Sequence, residues 1–103
     1  MLVEERLMNA GLVLASCGIA YALRYVRAAT EGGVQLGFRA AEAQDIVAQT
    51  LRGAVSLIEK KGAHTEAEID KVTTPGGLTI RGLNAMEEAG FTNAVIQGLL
   101  ASK

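Results

Sequence analysis

With 103 residues, half of them hydrophobic but only 4% aromatic, the chain has room for one domain and not for two. A net charge of -1 supplies no basic field to neutralise phosphates, which argues against nucleic acid as a partner. The single cysteine, Cys17, excludes an internal disulfide framework and a cysteine-based zinc site, in keeping with a reducing, cytoplasmic setting.

The apolar mass is Ala, Leu, Val and Ile, side chains that suit close helix packing. A first helix is expected from Val3 to Ala15, with Glu4 and Glu5 in its first turn, where negative charge complements the helix dipole. Ser16-Cys17-Gly18 is expected to interrupt it. Leu14-Ala15-Ser16-Cys17-Gly18 also has the form of a lipoprotein cleavage box. A secretory signal would need a positive start, whereas Glu4 and Glu5 outweigh Arg6. The apolar run from Gly11 to Leu23 ends at Arg24, short of the ~20 residues of a spanning helix, so the chain reads as soluble and not membrane-bound. A lipid-anchored envelope protein remains the rival reading of this segment.

The periodicity then gives a second helix from Ile19 to Leu36 and a third from Arg39 to Lys61, with Ile46, Val47, Leu51, Ala54 and Ile58 on one stripe. A short acidic helix runs from Thr65 to Val72, Thr65 being the expected N-cap and Glu68 the partner in a capping box. Thr73 to Leu78 is a turn-rich loop. A fifth helix from Thr79 to Ala89 stops at Gly90, and a sixth runs from Thr92 to about Ala101. No segment alternates with period two for long enough to make a strand. The fold class is all-α, with about six helices in one domain spanning residues 1–103.

The second helix is unusual. From Ile19 to Ala29 its only charges are Arg24 and Arg27, and Thr30 and Glu31 continue the same narrow polar line. Most of its circumference must therefore be buried, either as a central core helix or under a second subunit. Gly11, Gly53, Gly82 and Gly98 lie inside helical patterns, where each costs about 1 kcal/mol relative to Ala. Close helix-to-helix approach is a reason to accept that cost. Both features lean toward an intertwined helical oligomer.

Catalytic chemistry is harder to find. His64 is the only histidine and sits at a turn, where a structural role is the default. Cys17 has no base beside it in sequence and reads as a small buried hydrophobe. Gly32-Gly33 and Gly37 lack the following Lys-Ser/Thr of a phosphate-binding loop. The exception is Thr73-Thr74-Pro75-Gly76-Gly77-Leu78-Thr79. Pro75 stiffens the chain, Gly76 and Gly77 let it turn, and a helix follows at once. Several N–H groups then face outward at the positive end of a helix dipole, flanked by threonine hydroxyls, which suits a small carboxylate. An ordinary connecting turn with capping threonines is the competing reading.

Asp70-Lys71-Val72-Thr73-Thr74-Pro75-Gly76-Gly77-Leu78-Thr79-Ile80 resembles the signature of the pyrroline-5-carboxylate reductases, in which a Ser/Thr-Pro-Gly-Gly-x-Thr core follows a short acidic helix. Leu83 to Phe91, Ala94-Val95-Ile96, Val34-Gln35-Leu36-Gly37 and Ala48-Gln49-Thr50 extend the resemblance over nearly the whole chain. Ser16-Cys17-Gly18-Ile19-Ala20-Tyr21 departs from the family's Gly-Ser-Gly-Pro-Ala-Tyr segment by placing Ile19 at the proline, and Thr65 replaces the usual proline after His64. The family's dinucleotide-binding half, with its Gly-rich fingerprint, has no counterpart in these residues.

The resemblance implies the C-terminal dimerisation and substrate domain of such an enzyme, all-helical and interleaved with its twin as a homodimer or a higher oligomer. The enzymes of this family reduce Δ1-pyrroline-5-carboxylate to L-proline with NADP(H) or NAD(H). The resemblance implies that the cofactor binds the other domain and that this fragment alone is inactive; with one histidine and one cysteine, no metal site is expected in this chain. It implies a substrate carboxylate at the Pro-Gly-Gly loop, held by the Thr74 hydroxyl and the N–H groups of Leu78 and Thr79, with Gly76 and Gly77 providing the backbone path. The Thr79 hydroxyl would orient or protonate the ring nitrogen. A stand-alone helical interaction module without catalysis is the alternative.

Overall fold

A computed structural model describes residues 5–102. The expected start of the first helix at Val3 and the charge of Glu4 lie outside them. Among the described residues every regular element is helical. These are α1 (Glu5–Leu12), a π-helical turn (Val13–Cys17), α2 (Gly18–Gln35), α3 (Ala40–Ile58), α4 (Thr65–Lys71), α5 (Leu78–Glu88) and α6 (Phe91–Ala101).

The expected break at Ser16-Cys17-Gly18 does not occur. Leu12, Cys17 and Gly18 all keep right-handed helical angles, and the Gly18 N–H reaches back to the Val13 carbonyl, five residues away. The extra residue is absorbed by widening one turn, which keeps the backbone bonded through the segment. Ile19, unlike the proline it replaces, presents no ring to the preceding turn and removes no N–H donor, so the helix runs on.

This continuity also corrects the length argument made from the sequence. The helix Leu7–Gln35, 29 residues, is long and apolar enough to cross a bilayer. Arg24 then falls near its middle, where an arginine costs about 2.5–3.5 kcal/mol in hydrocarbon on insertion scales, and Arg27 follows one turn later. The helix of a protein–protein core passes the same length test without that penalty.

At the end of α2 the chain reverses through a glycine-capped turn. Phe38 N–H bonds Gly33 O at 3.0 Å and Gly37 N–H bonds Val34 O at 2.9 Å, with Gly37 at φ +117°. This satisfies the carbonyls that the last helical turn leaves open. α3 then packs back on α2, and the two helices meet at Gly33 and Ala43. A Cβ built on Gly33 would lie 2.8 Å from the Ala43 Cβ, which is too close to coexist. Ala43 has no rotamer to move away, so Gly33→Ala is expected to pry the hairpin apart and cost about 1–3 kcal/mol in urea unfolding. The glycines singled out from sequence, Gly11, Gly53, Gly82 and Gly98, have no neighbour within 4 Å of an added Cβ in this chain. Within one chain, close helix approach is realised at Gly33 and not at those four.

α6 lies against α2 and the π-helical turn. Tyr25 meets Phe91 edge-on, with ring centroids 6.5 Å apart, and the Tyr21 hydroxyl reaches Gly98 O and the Ser102 hydroxyl. α5 and α6 are joined through Ala89 and Gly90, the latter at φ +91°. These contacts do not enclose a core. Ala43 is the one buried hydrophobic residue among those described, while Leu12, Ile19 and Leu23 remain 62–64% exposed. The chain exposes 8659 Å². A compact monomer of its mass would expose about 5,500 Å².

Candidate functional site

The Thr73–Thr79 segment is held between two helix ends. α4 begins at His64, whose extended backbone makes it the N-cap, and whose Nδ1 accepts the Glu66 N–H at 3.2 Å. The expected cap, Thr65, is instead the first helical residue. His64 can take the place because a neutral imidazole nitrogen is as able to accept an N–H as a threonine oxygen. Glu68 is likewise not part of a capping box; its carboxylate pairs with Lys71 at 2.8 Å. His64 thus has the structural role that the sequence suggested. α4 ends with Val72 N–H on Ile69 O at 3.1 Å and Thr73 N–H on Asp70 O at 3.2 Å.

The chain then turns over Thr74-Pro75-Gly76-Gly77. Gly77 N–H donates to Thr74 O at 3.0 Å, and Gly76 stands at φ +70°. Proline second and a positive-φ glycine third make this a type II turn. Gly77 is the N-cap of α5 and has no side chain to cap with. A Cβ at Gly77 would run into the Thr74 hydroxyl and carbonyl. The glycine is therefore what lets Thr74 lay its side chain beside the α5 N-terminus. Leu78 and Thr79 are the first two helical residues, one position earlier than the sequence suggested, and their N–H groups have no carbonyl a turn below to bond. Leu78 is 82% exposed, and Thr74 and Thr79 are also exposed.

The expected residues Thr74, Gly76, Gly77, Leu78 and Thr79 thus come together at one helix start with two hydroxyls and uncapped N–H groups. This arrangement can receive a small anion. Cys17 is half-buried in the π-helical turn, and no cluster of metal-ligating side chains occurs among the described residues. Tyr21 stands out in the sequence only as part of a family segment. Its contact with Ser102 bridges 81 residues and leaves no local signal.

The family model described as pyrroline-5-carboxylate reductase dimerisation matches residues 5–103. The chain belongs to that family. It is 50% identical over 102 residues to pyrroline-5-carboxylate reductase 1 of Dictyostelium discoideum, covering 99% of this chain and 18% of that protein. It is 44% identical over 100 residues to pyrroline-5-carboxylate reductase 2 of the same organism, covering 97% of this chain and 33% of the relative. A crystal structure of Plasmodium falciparum pyrroline carboxylate reductase with NADP bound superposes with a TM-score of 0.92 at 26% identity, over 97% of this chain and 40% of the other. The chain therefore spans about a fifth to two fifths of the length of these relatives. The all-helical architecture expected from the sequence stands.

The residues present do not fit a nicotinamide dinucleotide. Such a site opens with a strand, a glycine-rich turn and a helix, and every regular element among the described residues is helical.

Proposed function

We propose that this chain is the dimerising and substrate-holding part of a cytoplasmic pyrroline-5-carboxylate reductase, which reduces Δ1-pyrroline-5-carboxylate to L-proline. The observation that carries the reading is the Thr-Pro-Gly-Gly type II turn opening α5, inside a segment that matches the dimerisation family from residue 5 to 103. The hydride comes from NADPH or NADH, held by parts of the protein other than these residues. The partners are a second copy of the chain, in a homodimer or larger assembly, and the small imino acid.

The work of the chain's own residues is to bind and orient. The N–H groups of Leu78 and Thr79 and the Thr74 hydroxyl donate to the substrate carboxylate. The α5 dipole adds attraction, worth about 0.3–1 kcal/mol at an exposed helix end. With the carboxylate fixed, the five-membered ring extends past the start of α5, and the Thr79 hydroxyl meets its nitrogen. Holding both ends fixes the C=N carbon for attack, the orienting role that protein supplies in a cofactor-driven reaction.

The test is a titration of the isolated chain, folded by circular dichroism, with NADPH and with L-proline. The chain is expected to give no saturable NADPH binding in calorimetry and no NADPH oxidation with pyrroline-5-carboxylate, while the full-length protein that carries it turns over. Micromolar NADPH binding by the chain, or a full-length protein inert toward pyrroline-5-carboxylate, would overturn this reading.

A further inference from the structure

We propose that Thr73 is a positioning residue: its tether to α4 sets the Thr74 hydroxyl over the start of α5. The proposal rests on reading the loop as the carboxylate site.

The two adjacent threonines face different ways. Thr74 is exposed and packs against Gly77. Thr73 is half-buried, and its hydroxyl donates to the Ile69 carbonyl at 2.6 Å. That carbonyl lies in the last turn of α4 and also accepts the Val72 N–H at 3.1 Å. The Thr73 N–H adds its own bond to Asp70 O at 3.2 Å. The Thr73 residue is thus fastened to α4 at two points, backbone and side chain. The Val72 side chain beside it is 60% exposed and offers little packing to hold the chain.

The turn on the C-terminal side of Thr73 is a rigid unit. Pro75 fixes its own φ, and the Gly77 N–H closes the turn on Thr74 O. A rigid turn is aimed by its point of attachment, and that point is Thr73. α4 is itself capped at its other end by His64, and the Lys71–Glu68 pair braces the last turn to which Thr73 is tied. The direction of the Thr74 hydroxyl therefore descends from α4 through these two Thr73 bonds, of which the side-chain one is the shorter. Small displacements at a binding donor are enough to weaken a contact that depends on orientation.

Thr73→Val keeps the branched shape and removes the donor. In the full-length protein it is expected to raise KM for pyrroline-5-carboxylate, and to weaken L-proline binding in calorimetry, by about three- to tenfold, the scale of one lost hydrogen bond. The kcat should stay within about twofold, because the loss falls on ground and transition state alike. Thr73→Ser restores the donor and should restore KM. Thr74→Ala, measured alongside, should also weaken L-proline binding. If Thr74→Ala weakens binding while Thr73→Val leaves KM unchanged and only lowers the melting temperature, Thr73 is a helix-end fastening and the proposal is overturned. If Thr74→Ala leaves both KM and L-proline affinity unchanged, the carboxylate reading fails and takes the proposal with it. Should Thr73→Val not fold, the folded Thr73→Ser variant decides: a wild-type KM supports the tether, and a raised KM overturns it.

Discussion

In solution the isolated chain is expected to be a dimer of about 22 kDa by light scattering, twice the 10.8 kDa of one copy. The reason is physical. Folding is driven by apolar surface leaving water, at roughly 25 cal/mol per Å². Yet one chain buries a single hydrophobic residue among those described, Ala43. Leu12, Leu14, Ile19 and Leu23, along one helix, stay 62–66% exposed. The exposed area exceeds that of a compact monomer of this mass by roughly 3,000 Å². Over two copies that is roughly 6,000 Å², the scale of the largest obligate interfaces, which bury about 5,000 Å² and more over both partners. The hydrophobic core must therefore be assembled between copies, and folding and association become one event. The melting temperature should accordingly rise with protein concentration. A monomer of about 11 kDa at all concentrations, with a cooperative melt that ignores concentration, would refute this.

Thr79→Ala in the full-length protein is expected to lower kcat/KM about ten- to a hundredfold, or somewhat more, with little loss of stability. Thr79 is the second residue of α5, and the N-cap is Gly77. Its hydroxyl is thus not at the capping position, where truncation costs about 1 kcal/mol of stability. The alanine variant keeps the Thr79 N–H and the helix dipole, so carboxylate binding should survive in part. On the proposed reading the variant loses one hydroxyl contact to the ring nitrogen, worth about 1.5–3 kcal/mol if that nitrogen is charged, and the loss falls on turnover. Steady-state kinetics and a urea melt on the same variant decide the matter. A destabilised protein with wild-type kcat/KM would make Thr79 scaffold.

Much of this was legible in the residues because it depends on local chemistry. Helix periodicity located every described helix to within a few residues, and Gly90 marked a helix end because positive φ is costly for any other residue. The candidate site was legible for the same reason: Pro75, Gly76 and Gly77 dictate a turn, and the turn dictates a helix start within a few residues.

Local chemistry misled at two points. The Ser16-Cys17-Gly18 segment looked like a break, since serine and glycine are weak helix formers, but intrinsic propensity is a small bias that a bonded helix overrides. At the α4 start, Thr65 looked like the cap, but His64 holds the position, with extended backbone and its imidazole nitrogen accepting the Glu66 N–H.

Helix positions, turn chemistry and the apolar girdle of α2 all follow from the order of residues alone. Each is a property of residues within a few positions of one another, where spacing along the chain is spacing in space. The packing of the helices, by contrast, brought Gly33 against Ala43 and Tyr21 against Ser102. Packing also left much of the girdle of α2, Ile19 and Leu23 among it, without cover within its own chain. Those outcomes depend on how rigid helices are aimed by their connections, and a pattern of hydrophobicity records which face must be buried without recording against what.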